Sequence, residues 1–320
     1  MAVSTFGRAG FLEELLERLR VQDLPADRFE VTIVDNGSSD DTWDLLQAAV
    51  RRDDPLRLQV ARVEQNRAPA GGRNLAVALS RGEVVAFTDD DCLPTPGWLS
   101  SILQEVRAGA AIVQGRTEPQ PDGVRTSDWD RSVWVLARSG LFETCNMAYR
   151  RADLEALGGF DQRSAVIGHR AARPFGEDVE LGWRAEGLGG RYAFADDALV
   201  HHRWLPGSYR SWLAERRQLA NFPALARRVP AVRTLFWNRI FLTRTSAAFD
   251  LAVVGAVAAG LTSRPLLLLA AAPWVRQRWL DAGDRPGRGR AVRVAQLAVG
   301  DLAALGALAE GSLRHRWLLL

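Results

Sequence analysis

The sequence predicts an α/β fold with a mostly parallel sheet and flanking helices, followed from about residue 206 by a helical region. Up to residue 95, strand-like apolar runs and segments with helical periodicity follow one another strictly. This alternation favours right-handed βαβ units and a parallel sheet with helices on both faces. Two acidic clusters also come directly after apolar runs, where open parallel sheets bind their ligands. The sequence therefore predicts a domain of residues 1–205 and a helical region of residues 206–320.

The first 95 residues justify this prediction element by element. The run AVST predicts a short strand, and residues 10–21 carry four leucines at helical spacing. FEVTIV predicts the second strand, and residues 41–51 predict a helix with Ser39 or Asp40 as its N-cap. LRLQVARVE and EVVAFT predict two more strands, separated by the helix APAGGRNLAVALS, which ends at Gly82.

Residues 96–205 are less regular but contain the same two kinds of element. PGWLSSILQEVRAG predicts a helix, AAIVQGRTEP a strand, and NMAYRRADLEALGGFD a strand that leads into a helix. Between them, residues 118–140 predict a loop that is mobile or faces the substrate, and this loop carries Trp129 and Trp134. GEDVELGWRAEGLGGRYAFADDALVHHRW predicts a helix, a turn and two short strands.

Composition excludes several classes of protein. The chain has 320 residues, of which 47% are hydrophobic and 25% charged, as in a globular protein rather than a disordered one. A net charge of +3 gives no indication of a nucleic-acid partner. The two cysteines, Cys92 and Cys145, are too few for a disulfide framework, which indicates a reducing compartment. The first residues lack the pattern of a signal peptide, so we expect a cytoplasmic protein.

Three adjacent carboxylates, Asp89, Asp90 and Asp91, follow the apolar run VVAFT. Like charges this close repel each other and must be solvated or neutralised. In extended backbone alternate residues face the same way, so Asp89 and Asp91 can share one site while Asp90 points elsewhere. A hard cation with oxygen ligands, Mg²⁺ or Mn²⁺, fits such a site, and a solvated acidic turn is the alternative.

Five segments, taken in order, make the pattern recognisable: VSTFGRAGFLEELLERL, FEVTIVDNGSSDDT, NRAPAGGRNLAVALSRGEVVAFTDDDCLPTPGWL, NMAYRRADLEALGGFD and GEDVELGWR. Together they resemble a family 2 glycosyltransferase of the GT-A fold over residues 1 to 205. The resemblance implies a nucleotide-sugar donor, a divalent metal and an inverting displacement at the sugar. The acceptor it implies is a saccharide, a lipid-linked molecule or a small molecule.

The resemblance also assigns the donor and metal ligands. For the nucleotide sugar it implies Ser4, Thr5, Phe6, Arg8, Asp35, Asn36, Arg73, Asp89 and Asp90, and for the metal Asp91, Asp89 and His202. His201 replaces His202 if the strand register shifts. Many members carry Asp where this chain has Asn36, so uridine, thymidine and guanosine donors all stay open. The structural alternatives are turn chemistry for Asp35, a turn cap for Asp90 and a surface position for Arg73.

The same resemblance assigns the base and the acceptor side. Asp178 is the expected catalytic base, and Glu177 beside it is expected to contact the acceptor or the helix start. Two adjacent carboxylates raise one pKa, which suits a base that works near neutral pH. Gly159 and Asp161, in the GGFD segment, are expected on the acceptor side. A helix C-cap explains Gly158 and Gly159 equally well, and Asn74 is expected to brace the start of its own helix.

The C-terminal region is helical and apolar. LAVVGAVAAGLTS and PLLLLAAAPWV are each shorter than the ~20 residues of a membrane span, and Arg264 separates them. They predict two antiparallel helices, followed by a last helix over about residues 291–313. Trp274, Arg276, Arg278 and Trp279 flank them, as at a membrane interface. We expect these helices to cover the domain, to form a homodimer, or to contact the inner face of the plasma membrane peripherally.

Two other functions stay as alternatives. A catalytically inactive protein of the same fold could bind nucleotides or sugars without turnover. A phosphatase or nucleotidyltransferase could use the aspartates, but a haloacid-dehalogenase-type site has Gly and then Thr or Val where this chain has Cys92 and Leu93. The sequence therefore favours glycosyl transfer.

Overall fold

The computed structural model describes residues 1–52, 55–66, 68–162, 175–283 and 288–320. These residues form two compact units, Met1–Pro206 and Gly207–Leu320. The first unit is built on a sheet of eight strands, and the second is helical.

The sheet of the first unit is mixed. Its strands are β1 (Ala2–Thr5), β2 (Val31–Asp35), β3 (Leu58–Arg62), β4 (Val84–Thr88), β5 (Cys92–Pro94), β6 (Ala110–Pro119), β7 (Asn146–Arg150) and β8 (Arg191–His202). Their order across the sheet is β3-β2-β1-β4-β7-β6-β8-β5. The pairs β1–β2, β1–β4, β2–β3 and β6–β8 are parallel, whereas β7 is antiparallel to both of its neighbours and β5 to β8. The α/β class is thus confirmed, with the parallel half formed by the alternating segments.

Helices cover both faces of this sheet, as predicted. They are α1 (Ala9–Arg20), α2 (Thr42–Val50), α3 (Ala68–Leu79), α4 (Trp98–Arg107), α5 (Arg151–Leu157) and α6 (Glu177–Gly187). One hydrophobic cluster contains the buried side chains of α1, α2 and α4, and a second contains those of α3, α5 and α6. The four leucines of α1 are all buried in the first cluster, so the helical stripe in the sequence marks the core-facing side.

The prediction of two short strands near the end of this unit was wrong, because β8 is a single strand of 12 residues. The register between β6 and β8 shifts between Gly115 and Thr117. The additional residues of β8 include Asp196 and Asp197, which are both exposed. With such a bulge, β6 and β8 stay paired on both sides of it, although the apolar pattern of the β8 sequence is interrupted there.

The predicted N-cap of α2 also differs from the structure. The N-cap position is Asp41, not Ser39 or Asp40, and its side chain makes no capping hydrogen bond. The carboxylate of Asp40 instead accepts hydrogen bonds from the backbone N–H and the hydroxyl of Thr42, at 3.2 and 2.5 Å. Asp40 therefore supports the first turn of the helix from one position further away than a standard N-cap.

Close packing of α3 on β1 depends on Gly72. A Cβ atom at this position would lie 2.1 Å from Ser4 Oγ and 3.0 Å from Ser4 Cβ. We expect Gly72→Ala to lower the free energy of unfolding by about 1–3 kcal/mol, because α3 and β1 must separate. Urea unfolding measures this loss, and Gly10→Ala is the control because no atom lies within 4 Å of its added Cβ. Equal stability of the two variants would contradict the packing constraint.

The second unit consists of helices. They are α7 (Tyr209–Arg216), α8 (Phe222–Arg228), α9 (Arg244–Thr262), α10 (Ala272–Asp281) and α11 (Arg288–His315), with short 3₁₀ segments that include Pro265–Ala271. The helix α9 begins seven residues before the predicted apolar stretch, and Pro265–Ala271 is a 3₁₀ helix rather than part of a longer α-helix. Arg244–Thr262 and Gly289–His315 are long and apolar enough to cross a membrane by length and composition, both with mean hydropathy 1.5.

A polar cluster lies inside this unit. The carboxylate of Asp301, on α11, accepts hydrogen bonds from the Arg278 guanidinium at 2.7 and 2.5 Å and from Trp274 Nε1 at 2.8 Å. Arg278 also pairs with Asp281 at 2.6 Å. Packing of α10 on α11 thus depends on charged groups as well as on apolar contacts.

Candidate active site

The predicted site residues converge on one edge of the sheet. The strands β1, β2 and β4 are parallel, so their carboxyl ends meet there, and Thr5 is paired with Asp35 in register. The acidic turn Asp89–Asp91 follows β4 directly. Because ligands of open parallel sheets bind at this edge, the topology alone makes it the candidate active site.

The turn holds its three carboxylates in three different environments. Asp90 is buried and accepts a hydrogen bond from Thr5 Oγ1 at 2.6 Å. Burial, and then the charge of Asp91, raise the pKa of Asp90 to about 7, and the Thr5 hydrogen bond opposes the shift. Asp90 therefore connects the acidic turn to β1 inside the protein.

Asp91 faces His202 on β8. Antiparallel pairing of β5 with β8 sets Cys92 opposite His202, and His202 Nε2 then lies 3.5 Å from Asp91 Oδ1. Arg8, one-third exposed, approaches the other carboxylate oxygen at 3.7 Å. His201, the predicted substitute, precedes His202 in the strand and is paired with Leu93. The register thus brings His202 rather than His201 to the acidic turn.

The backbone orients the ring of His202. Its Nδ1 lies 2.8 Å from the carbonyl oxygen of Arg203, and a carbonyl can only accept, so Nδ1 carries a hydrogen. Nε2 lies 3.5 Å from the carboxylate of Asp91, where a proton on Nε2 or a cation between the two groups would neutralise that carboxylate. A backbone carbonyl that orients the far nitrogen is the usual second partner of a metal-binding histidine.

Cys92 adds a third potential ligand atom that the sequence interpretation did not include. Its Sγ lies 3.9 Å from Asp91 Oδ1, and ligand atoms of Asp91, Cys92 and His202 all lie within 4.8 Å of one another. Asp89, which the sequence assigned to the same cation, is not in this group and faces Arg73 instead. Both Cys92 and Cys145 are buried free thiols.

Arg73 connects the acidic turn to the start of α6. Its buried guanidinium donates to Asp89 Oδ1 at 2.9 Å and to Glu177 Oε1 at 3.4 Å, across 104 residues of sequence in the second case. It also lies over the ring of Phe160, 5.7 Å from its centroid. Sequence reasoning placed Arg73 at the nucleotide or on the surface, and the structure shows a buried bridge between two acidic segments.

Asp178 lies in the first turn of α6 and has a raised pKa. Gly176, at φ +78°, is the N-cap of α6, so Glu177 and Asp178 are not caps themselves. Asp178 Oδ1 lies 2.8 Å from the backbone N–H of Val179 and accepts its hydrogen bond. Burial first, and then the charge of Glu177, raise the pKa of Asp178 to about 8, while Arg73 opposes the shift. A carboxyl with this pKa is a stronger base than an ordinary carboxylate once it has lost its proton.

Tyr149, which no sequence pattern marked, lies near this carboxyl. It is fully buried on β7, and burial followed by the charge of Asp178 raises its pKa well above the usual range. Among the described residues its hydroxyl has no hydrogen-bond partner. In the sequence Tyr149 is one apolar-facing residue of the strand NMAYR, so a local pattern could not have indicated its position.

The predicted nucleotide residues surround the ends of β1 and β2. Asp35 is buried, accepts the N–H of Ser38 at 2.9 Å and pairs with Arg62 at 3.2 Å. The amide nitrogen of Asn36 donates to Asn66 Oδ1 at 3.1 Å and to the carbonyl of Ala68 at 2.9 Å. The side chains of Asp35 and Asn36 therefore order this turn. Phe6, half exposed beyond the end of β1, is an accessible ring beside it.

The GGFD segment is fixed by Asn74. Its amide donates to the carbonyl of Phe160 at 2.8 Å and accepts the N–H of Phe160 at 2.9 Å. A Cβ on Gly159, at φ +71°, would lie 2.5 Å from Asn74 Oδ1. Gly158 is the left-handed C-cap of α5, as the structural alternative anticipated. Asp161 is the residue after Phe160, and the structure describes the chain up to residue 162 here.

Comparison with known proteins identifies a family for this arrangement. The family model described as glycosyl transferase family 2 matches residues 1–166. The glycosyltransferase AglE of Haloferax volcanii is 25% identical over 245 residues, which cover 70% of this chain and 77% of AglE. The GalNAc(5)-diNAcBac-PP-undecaprenol beta-1,3-glucosyltransferase of Campylobacter jejuni is 31% identical over 121 residues, 38% of each chain.

A solved structure has the same fold. The mannosyltransferase PcManGT from Pyrobaculum calidifontis, in complex with GDP-Man and Mn²⁺, superposes with a TM-score of 0.59 at 21% identity. The match covers 99% of this chain and 86% of PcManGT. At this identity the similarity shows the fold alone.

Proposed function

Because the chain belongs to glycosyl transferase family 2 and has the GT-A fold, we propose that it is an inverting, metal-dependent glycosyltransferase. It moves a hexosyl or deoxyhexosyl group from a nucleoside-diphosphate sugar to an acceptor hydroxyl. The observation that carries this proposal is the group of Asp91, Cys92 and His202, whose potential ligand atoms lie within 4.8 Å of one another after the acidic turn. It lies at the same sheet edge as a carboxyl, Asp178, that titrates near neutral pH.

The donor half of the site is formed by the ends of β1, β2 and β4. Asp91 and His202 would hold Mg²⁺ or Mn²⁺, with Asp89 toward the ribose or the metal shell. Such a cation would supply positive charge to the diphosphate leaving group. Arg8 offers a cationic group beside Asp91, and Phe6 an exposed ring for the base.

The acceptor half is formed by α6 and the GGFD segment. Asp178 would remove the proton from the acceptor oxygen as that oxygen attacks the anomeric carbon. Glu177 is held by Arg73, so its carboxylate is positioned beside the base. Gly159 and Asp161 are the proposed acceptor contacts. A saccharide, a lipid-linked or a small-molecule acceptor would satisfy this chemistry, and the undecaprenol-linked substrate named for the Campylobacter relative favours a lipid-linked one.

The experiment that tests the donor half is a thermal-shift panel with UDP, dTDP, GDP, CDP and ADP, each with and without Mn²⁺. One nucleotide with metal is expected to raise Tm by about 5 °C at roughly 100 times its Kd. Asp91→Asn is expected to abolish the increase, because the cation loses a charged ligand. Asp196→Asn is the matched control, since this carboxylate is exposed on β8.

The thermal shift and a turnover assay with the same nucleotide sugar together separate the leading function from its alternatives. A metal-dependent shift that Asp91→Asn loses, together with turnover of the same nucleotide sugar, supports the transferase. A shift without turnover favours the inactive nucleotide or sugar binder. If no nucleotide shifts Tm, or if Asp91→Asn keeps the full shift, the proposed metal-diphosphate site is wrong.

We also propose that the second unit contacts a membrane surface through an apolar hairpin, defined as residues 254–269. Every residue from 261 to 269 is exposed, and Leu261 and Leu266 at its tip are 82% and 77% exposed. Gly255 permits the close approach of the two arms, because a Cβ there would lie 2.7 Å from the carbonyl oxygen of Leu267. Exposed apolar patches of this kind mark interaction surfaces.

The length and flanks of the hairpin favour an interfacial contact. From residue 254 to the tip at 261, α9 rises about 10 Å, which matches the depth to which amphipathic elements enter a bilayer. Arg276 and Trp279 are exposed on α10, where they suit lipid headgroups. The partly buried pair of Arg278 and Asp301 disfavours insertion of the whole unit, since charges in hydrocarbon are costly.

Flotation with phosphatidylcholine vesicles, with and without phosphatidylglycerol, tests this contact. The wild-type protein is expected to float with the vesicles. Leu261→Asp is expected to weaken vesicle binding about tenfold, since it removes one leucine side chain that would be buried in the bilayer. Leu313→Asp is the matched control, because Leu313 is also 82% exposed in the same unit but lies on α11. Absence of wild-type flotation, or an equal loss in both variants, would refute the contact.

A further inference from the structure

Two tryptophans form an aromatic pair on the surface of the first unit. The rings of Trp134 and Trp204 lie edge to face, with centroids 5.3 Å apart. Trp134 is 53% exposed, and Leu136 beside it is 56% exposed. Large aromatic side chains usually bury most of their area, so an exposed indole held by a second one indicates a binding surface.

The surrounding loop holds this pair in place. The Arg125 guanidinium lies over the ring of Trp204, 5.4 Å from its centroid. Arg125 itself donates to the carbonyls of Ser127 and Asp128, both at 3.0 Å. A Cβ on Gly123 would lie 2.7 Å from Trp204 Cδ1, so this loop packs directly against the indole. Trp204 is thus fixed, and Trp134 is supported by it.

Asp130 makes the loop rigid. Its buried carboxylate accepts four hydrogen bonds, from the backbone N–H and the hydroxyl of both Thr126 and Ser127, at 2.6–2.9 Å. The sequence predicted a loop here that is either mobile or faces the substrate. These bonds favour a preorganised loop, and preorganisation lowers the entropy lost when a ligand binds.

The aromatic pair lies beside the candidate metal ligands. Trp204 is two residues after His202, and the N–H of the intervening Arg203 donates to the Asp91 carbonyl at 2.9 Å, so the chain that carries Trp204 runs along the acidic turn. Trp134 is two residues after Ser132, whose hydroxyl donates to the His202 carbonyl at 3.0 Å. In the sheet order, four strands separate β8 from β2, which carries the proposed nucleotide turn.

We propose that Trp134, supported by Trp204, is a binding platform for a pyranose ring of the acceptor saccharide. The inference rests on the proposed function and narrows the acceptor to one that carries a sugar. The apolar C–H face of a pyranose can lie on an indole face, while its hydroxyls stay hydrated or reach polar groups such as Arg125. Because β8 and β2 are not neighbours in the sheet, we assign this ring to the acceptor rather than to the nucleoside base.

Intrinsic tryptophan fluorescence tests the platform with defined probes: cellobiose, maltose, chitobiose and α-1,2-mannobiose. At least one disaccharide is expected to change the emission of the wild-type protein with saturation. Trp134→Ala is expected to weaken its binding about tenfold, measured by calorimetry because the variant lacks a reporter, and Trp134→Phe to recover most of it. Leu188→Ala is the control, since Leu188 is 52% exposed elsewhere in the unit.

The nucleotide thermal shift, measured on the same variants, separates this inference from the proposed function. An unchanged shift in Trp134→Ala with weakened disaccharide binding supports the platform. If no disaccharide binds the wild-type protein, or Trp134→Ala binds as tightly, the platform is wrong even where the nucleotide result stands. Light scattering tests whether a second copy of the chain binds this surface instead. A dimer that Trp134→Ala dissociates would assign the surface to a second copy and overturn the inference.

Discussion

Replacing Asp178 with asparagine is expected to lower kcat by about 10³-fold, because the site loses its general base. Nucleotide binding should be unchanged, since the nucleotide turn and the Asp91–His202 pair belong to other strands. The measurement is steady-state transfer from the nucleotide sugar identified in the thermal-shift panel. The side chains are nearly equal in size, and the neutral amide leaves no new buried charge, so the fold should persist.

The pH dependence gives this prediction a second readout. The wild-type kcat/KM is expected to rise with pH through about 8, because the base acts only after its own proton is lost. The stability of the folded protein changes with pH in the opposite direction to kcat/KM. The folded protein keeps the Asp178 proton up to about pH 8, whereas the unfolded chain releases it near 3.8, so folding binds a proton between these values. The stabilisation is complete below about pH 3.8 and is lost as pH rises to about 8.

The asparagine variant should therefore show a flatter stability profile between pH 4 and 8 than the wild type. Asp196→Asn, at an exposed position on β8, should keep both the wild-type rate and the wild-type pH profile. Transfer by Asp178→Asn at the wild-type rate would exclude Asp178 as the base. Glu177, the other carboxylate at the start of α6, would then be the candidate base.

Arg73→Met is expected to produce the largest loss of stability, about 3 kcal/mol, since it leaves the buried Glu177 carboxylate without its cation. Methionine keeps most of the side-chain volume, so the loss reports charge rather than a cavity. Because Arg73 also opposes the raised pKa of Asp178, the pH-rate profile should move to higher pH. Urea unfolding and the kcat/KM profile measure the two effects.

A double variant distinguishes this mechanism from general disruption. Adding Glu177→Gln to Arg73→Met should restore part of the stability, because the uncompensated charge is removed. Arg18→Met is the control: Arg18 pairs with Glu14 on the surface at 3.5 Å, and its loss should cost less than about 1 kcal/mol. No recovery in the double variant would show that the bridge to Glu177 does not stabilise the site.

Local sequence patterns predicted most of the elements that form the site. The four leucines of α1 repeat at helical spacing, and β2 and β4 are short continuous apolar runs, and both signals are set by the geometry of one helix or strand. The patterns failed where strand pairing overrides them. At Asp196 and Asp197 they predicted a break between two strands, but β8 continues through a bulge that contains these two residues. They also failed at the start of α2, where Asp40 supports the helix from outside the N-cap position.

The sequence by itself determined the α/β class, the acidic turn after β4 and, through resemblance, the family. Only the tertiary structure decided which groups meet. His202 rather than His201 faces Asp91 because the β5–β8 register fixes it, and Arg73 joins Glu177 across 104 residues. The physical reason is that a strand or helix is specified by neighbours a few residues apart. A side-chain contact between distant segments depends on strand order and register, which arise only when the whole sheet has formed.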